Sequence, residues 1–211
     1  MINKKMTIAI DINDVIRDFT RQFIKYYKKA IDPKFEIEYD DITDFNFLNI
    51  FPFVDEDGEI DEMAYNRFKY EDYAYELYAR ADVMERTLPA QFNLWIQNTL
   101  RDFDEDKNPE VIIVCPFEMN LSIQSTLSFL SRIGVRVRNY YFPVDSSTIW
   151  DKCDLLITTN PNLIENKPQD KLCFKINTPY NKDTKCNYSF DSLNQIINDE
   201  NKTLIKIIEE F

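Results

Sequence analysis

Five short apolar runs constrain this chain more than any other feature. In order they are Thr7-Ile-Ala-Ile-Asp-Ile-Asn13, Glu110-Val-Ile-Ile-Val-Cys115, Val135 to Phe142, Asp154-Leu-Leu-Ile-Thr158 and Lys171-Leu-Cys-Phe-Lys-Ile176. Brief β-branched runs that end in polar residues suit central parallel strands, buried on both faces, whose carboxyl ends look out on a site. Between them the apolar residues recur at helical spacing, which predicts helices over about 15–30, 61–82, 88–101, 120–133 and 190–210. Asp32-Pro33 is the stop for the first helix and Gly134 the C-cap of the fourth. Strands alternating with helices imply a doubly wound, parallel α/β sheet. In such sheets ligands gather beyond the carboxyl ends of the strands. That rule gathers Asp11, Asn13, Cys115, Pro116 and Thr158 to Asn160 around one crevice.

The chemistry open to that crevice is narrow. The chain has no histidine, which removes Ser-His and Cys-His nucleophile pairs and histidine-based zinc sites. Its two glycines, Gly58 and Gly134, cannot form a glycine-rich phosphate loop, so NAD and P-loop enzymes are excluded. Cysteines at 115, 153, 173 and 186 have no metal-type spacing and read as free thiols. Carboxylate, lysine or tyrosine chemistry remains.

A net charge of −12 opposes attraction to nucleic acid or to anionic membranes. Arg132, Arg136 and Arg138 form the best basic cluster, and solvated charges around a helix end and a strand are its expected role. The apolar run after the N-terminus stops at Asp11, too short for a signal-peptide core, and no stretch approaches a membrane span. The expectation is an intracellular, cytoplasmic protein. At 211 residues the chain can hold one core domain with a smaller insertion. Its wealth of Ile, Asn, Lys, Tyr and Phe suggests an AT-rich genome, as in phages and some low-GC bacteria.

Four segments together resemble the haloacid dehalogenase (HAD) superfamily, in particular its 5'(3')-deoxyribonucleotidase-like branch. Asp11-Ile-Asn-Asp-Val15 is similar to the first motif, D-x-D-G-V. Val111-Ile-Ile-Val-Cys-Pro116 looks like the second, an apolar strand ending in Thr or Ser before Pro. Asp154-Leu-Leu-Ile-Thr-Thr-Asn-Pro161 is similar to the fourth, D-x-L-I-D-D-x-P. Asn177-Thr-Pro-Tyr-Asn181, followed by Tyr188-Ser-Phe-Asp-Ser-Leu193, resembles the branch's closing turn. The resemblance implies a Rossmannoid core of residues 1–18 and 104–211, with residues 19–103 inserted as a helical cap.

It also implies where catalysis would sit. The family's first aspartate is the nucleophile, the place of Asp11, and the aspartate two residues on is the acid and base. Here that second position is Asn13, which cannot carry a proton at neutral pH. Along an extended strand Asp14 would point to the opposite face. The family's magnesium is held by the first aspartate and an acidic pair in the fourth motif, replaced here by Thr158 and Thr159. Cys115 stands where a hydroxyl would bind phosphate. The family lysine is missing: Thr148 occupies its usual spacing, and Lys152 lies close by.

Two functions are therefore weighed. The first is a pseudoenzyme with Asp11, Asn13, Cys115, Lys152, Thr158 and Thr159 as vestiges and no cofactor. It would serve as a structural subunit among other protein chains in a homo- or hetero-oligomeric particle such as a phage virion. Crowded aromatics of the insertion (Tyr65, Phe68, Tyr70, Tyr73, Tyr75, Tyr78) would then be its contact surface. The alternative is a magnesium-dependent 5'-deoxyribonucleotidase that attacks with Asp11. A third role is a non-catalytic binder of a nucleotide or phosphate.

Overall fold

A computed structural model describes residues 5–100 and 108–211. Arg101, the expected end of the 88–101 helix, and the expected domain boundary at 103–104 lie outside the described residues. Six strands form a single sheet: β1 (Thr7–Asp11), β2 (Glu110–Val114), β3 (Asn139–Tyr141), β4 (Leu155–Thr158), β5 (Leu172–Ile176) and β6 (Tyr188–Phe190). Their order is β3-β2-β1-β4-β5-β6, and every pairing is parallel. The chain winds outward from β1 to one edge and then from β4 to the other. The switch point, and the crevice it creates, therefore lies between the carboxyl ends of β1 and β4.

The central strands are apolar throughout because both faces are covered. Ile8, Ala9 and Ile10 of β1 are fully buried, as are Leu155, Leu156 and Ile157 of β4. On one face they meet Phe129 and Leu130 of helix α4 (Leu121–Ile133), with Leu193 and Ile196 of α6 (Leu193–Ile197). On the other face Ala9 and Leu156 meet Trp150, Leu163 and Ile164, the latter two from α5 (Pro161–Glu165). Gly134 closes α4 in the left-handed region, φ 70°, as its C-cap position requires.

Several expected elements are shorter. The helix α1 spans Phe19–Ala30, because residues 12–17 are drawn into a loop by Arg17 N–H and Ile16 N–H donating to the Ile12 carbonyl. The strand expected from Val135 is confined to Asn139–Tyr141. Val135 N–H is spent on the Leu130 carbonyl at the α4 cap and Arg136 N–H on the Asn93 side chain, so neither can pair with β2. The expected terminal helix is two, α6 and α7 (Thr203–Glu210), parted where Asp199 accepts from Asn201 N–H and Thr203 N–H. Strand β6 was not expected.

The insertion contains α2 (Glu62–Arg67) and α3 (Leu88–Leu94), each continued by a wider turn. Tyr73 N–H to Phe68 O, Arg80 N–H to Tyr75 O and Leu100 N–H to Trp95 O are i→i+5 bonds, those of π-helical turns. Phe23 of α1 meets Phe47, Phe51 and Phe68 edge-on at 4.9–5.4 Å between centroids. These residues form a second core separate from the sheet's, whereas Phe92, Trp95 and Leu100 pack into the sheet's own core. The aromatics read from sequence as a contact surface belong mostly to that second core. Phe68, Tyr70 and Tyr78 are buried, Tyr65 and Tyr73 pack against them, and Tyr75 is exposed.

No helix among the described residues is long and apolar enough to cross a membrane.

Candidate active-site crevice

Strand β1 delivers Asp11 to the switch point and then turns sharply. Asp14 takes a left-handed conformation, φ 55°, which an aspartate tolerates better than most residues. Its N–H donates to the Arg17 carbonyl at 2.7 Å, closing the loop. Because the strand ends at Asp11, alternation of side chains no longer governs position 14. Asp14 does not point away, as extended geometry predicts, but lines the same crevice as Asp11 and Asn13.

The crevice encloses about 370 Å³. Its floor is Asp11, Asn13, Asp14 and Thr159, and its walls include Phe19, Phe45, Phe47, Tyr70 and Tyr180. Lys69, from the first π turn, is its cation, held 4.9 Å over the Tyr70 ring and 5.4 Å over that of Tyr65. The sequence had not pointed to Lys69. Its one trace is a lysine set among aromatics.

Both oxygens of Asp11 are engaged. One accepts the Thr158 hydroxyl at 2.7 Å and the other the Asn13 N–H at 3.3 Å. Burial pushes its carboxyl up to about 7, against the lowering effect of those bonds. Asp14 is equally occupied, by Thr20 N–H (2.9 Å), the Thr20 hydroxyl (2.5 Å) and the Tyr180 hydroxyl (2.9 Å). Burial raises its carboxyl too.

Asn13 is tied down by a residue that sequence reasoning passed over. Arg17 Nε and Nη2 both donate to Asn13 Oδ1, at 3.0 and 2.6 Å. The fully buried guanidinium also pairs with Glu118 (2.5 Å), donates to the Thr126 hydroxyl (2.5 Å) and lies 4.7 Å from the centre of the Tyr78 ring. The signal available was a charge inside the apolar run Val15 to Phe19, four residues after Asn13.

The structure thus brings Asp11, Asn13, Thr158 and Thr159 together. Thr159 donates to the Asn13 carbonyl at 3.2 Å, and Asn181 of the Pro-Tyr-Asn turn donates to the carbonyls of Thr159 and Ile176, each at 2.8 Å. Cys115 and Lys152 are not brought in. Cys115 is wholly buried in the sheet's core, where desolvation drives its thiol well up. Lys152 is exposed, 5.9 Å over the Tyr141 ring. Of the basic cluster, Arg132 is spent on the carbonyls of Ala79 and Ala81, while Arg136 and Arg138 face solvent.

These groups do not fit a magnesium ion. A hard dication needs several free, anionic oxygens. Here the two carboxylates are saturated by donors and buried, and the remaining floor positions offer an amide and a hydroxyl. Among the described residues no three His, Cys, Asp or Glu side chains converge as a metal site would require.

No protein-family model matches the chain, and no curated protein matches its sequence. Among solved structures, it is similar to YfnB from Bacillus subtilis, a provisionally assigned HAD-hydrolase bound to magnesium. The likeness covers 98% of this chain and 100% of that one, with 13% identity and a TM-score of 0.56. A dehalogenase structure aligns over 92% of this chain and 96% of that one at 7% identity and TM-score 0.48, too low to bear on the argument. The chain has a HAD-like α/β fold.

Proposed function

We propose that this protein is a catalytically silent relative of the deoxyribonucleotidase-like HAD hydrolases, a scaffold that keeps the crevice and has lost the reaction. One observation carries the reading: the residue at the acid/base position, Asn13, is clamped by two guanidinium hydrogen bonds from buried Arg17. An amide held this way is a structural brace. It cannot protonate a leaving group or activate water, a loss that costs roughly 10²- to 10⁴-fold in rate. Asp11, bonded to Thr158 and Asn13, braces the same loop to β4. Without cationic help its attack on an anionic phosphate is opposed by charge repulsion.

The role left to such a scaffold is non-catalytic. The aromatic crevice with its single ammonium, Lys69, favours ligand binding over an assembly role, since the insertion's aromatics are largely spent on its own core. A place in a multi-chain particle such as a virion rests on composition alone.

The test is a panel of nucleoside monophosphates and simple phosphomonoesters, assayed with magnesium and with manganese. The expected result is no phosphate release above buffer, unchanged in Asp11→Asn. Turnover that depends on the metal and vanishes in Asp11→Asn would establish the alternative, a working deoxyribonucleotidase, and overturn this reading.

A further inference from the structure

Away from the crevice, two thiols meet at the edge of the sheet. Cys173 lies on β5, almost fully buried, and Cys186 lies two residues before β6, half-buried and open to solvent on one side. The Cys186 thiol donates to the Cys173 carbonyl at 3.3 Å, and the two sulfurs are themselves hydrogen-bonded. The surroundings of Cys186 suit an anion: backbone N–H groups of Lys175 and Tyr188 point at its sulfur, and the Lys175 ammonium is close. These donors, with the neighbouring thiol, pull Cys186 below the ordinary thiol range, while the same neighbour and burial push Cys173 up. An accessible thiolate beside a buried thiol is the arrangement of an attacking and a resolving cysteine.

We propose that Cys173 and Cys186 are an oxidation site for hydroperoxides, closing to a disulfide. The Cys186 thiolate attacks one peroxide oxygen, the O–O bond breaks, and hydroxide (or alkoxide) leaves as Cys186 becomes a sulfenic acid. The Cys173 sulfur then attacks that of Cys186, the S–O bond breaks, and the oxygen departs as water with the Cys173 proton. Two thiols lose two electrons, and one peroxide is reduced. Cys153 is the near competitor, since it shares the apolar cluster with Cys173, but its thiol is turned to the Ile149 carbonyl at 3.3 Å. Cys115 lies in the opposite core. The site is independent of the crevice and of whether the fold is silent.

The experiment treats the native full chain with one equivalent of hydrogen peroxide, blocks remaining thiols with an alkylating agent, and maps the peptides by mass. The expected product has Cys115 and Cys153 alkylated and a Cys173–Cys186 crosslink that dithiothreitol reverses. In Cys173→Ser the sulfenic acid at Cys186 should persist and be trapped by dimedone, and in Cys186→Ser peroxide consumption should drop at least about tenfold. Folding of each variant is checked by circular dichroism, and alkylation rates on the unmutated protein give a second reading, with Cys186 fastest at neutral pH. The proposal is overturned if peroxide links Cys153 to Cys173, if Cys186 over-oxidises while Cys173 stays alkylatable, or if no thiol is consumed.

Discussion

At Asp11 and Arg17, burial decides what the side chains can do. A carboxyl that titrates near 7 when folded and about 4 when unfolded binds its proton more tightly in the native state, so it lowers stability as pH rises. The penalty begins above about pH 4 and is complete above about pH 7, where it reaches on the order of 4 kcal/mol. An amide has no such dependence. The stability of Asp11→Asn relative to the parent should therefore grow between pH 4 and pH 8 in urea unfolding, and a constant difference would show that Asp11 titrates normally. Arg17 gives the converse case, since removing one partner strands a buried charge. Arg17→Met should cost about 3–5 kcal/mol by leaving Glu118 unpaired, and adding Glu118→Gln should restore part of it. Equal stability of the single and double variants would sink that account. Sequence alone reached Asp11, Asn13 and the two threonines because a strand end fixes where they project. It missed Arg17, Lys69 and the inward turn of Asp14, since these depend on where a loop bends and on which neighbour arrives from up to 100 residues away.

Elements were legible where a local rule sufficed and misread where a distant partner competed for the backbone. Leu121–Ile133 matched its apolar spacing, and Gly134 capped it as expected. Replacing Gly134 with alanine tests the cap cleanly, because an added Cβ would meet nothing within 4 Å and only the left-handed backbone would resist it. Gly134→Ala is expected to cost about 1 kcal/mol in thermal or urea unfolding, and a neutral result would mean the cap relaxes to another geometry. The shortened β3 and the π turns carry no comparable mark in sequence. Val135 to Arg138 reads as a strand until Asn93 and the helix cap claim its amides. In the insertion, helical spacing is preserved closely enough by π turns that apolar periodicity cannot tell them from α-helix.

Across the whole molecule, apolar burial is split between a sheet core and an aromatic core, and polar contacts join them. Tyr180 reaches from the turn after β5 into the aromatic core while bonding Asp14, and Arg17 donates to the Tyr78 carbonyl at 3.5 Å. On the neighbouring turn, Arg132 of α4 donates to the carbonyls of Ala79 and Ala81, where the second π turn leaves them without helical donors. The insertion is thus pinned near its exit, beside the chain that returns to the sheet core. If that pinning is energetic and not incidental, Arg132→Ala should release residues 75–82 to local opening while the sheet keeps its protection. The measurement is amide hydrogen exchange followed by mass spectrometry. Exchange should rise roughly tenfold or more over 75–82, equivalent to about 1–2 kcal/mol of lost local stability, with β1 and β4 unchanged. Uniformly faster exchange would mean that the two cores open together and that the arginine merely adds to global stability. An unchanged pattern would show that the buried Arg17 and Tyr180 contacts hold the insertion without it.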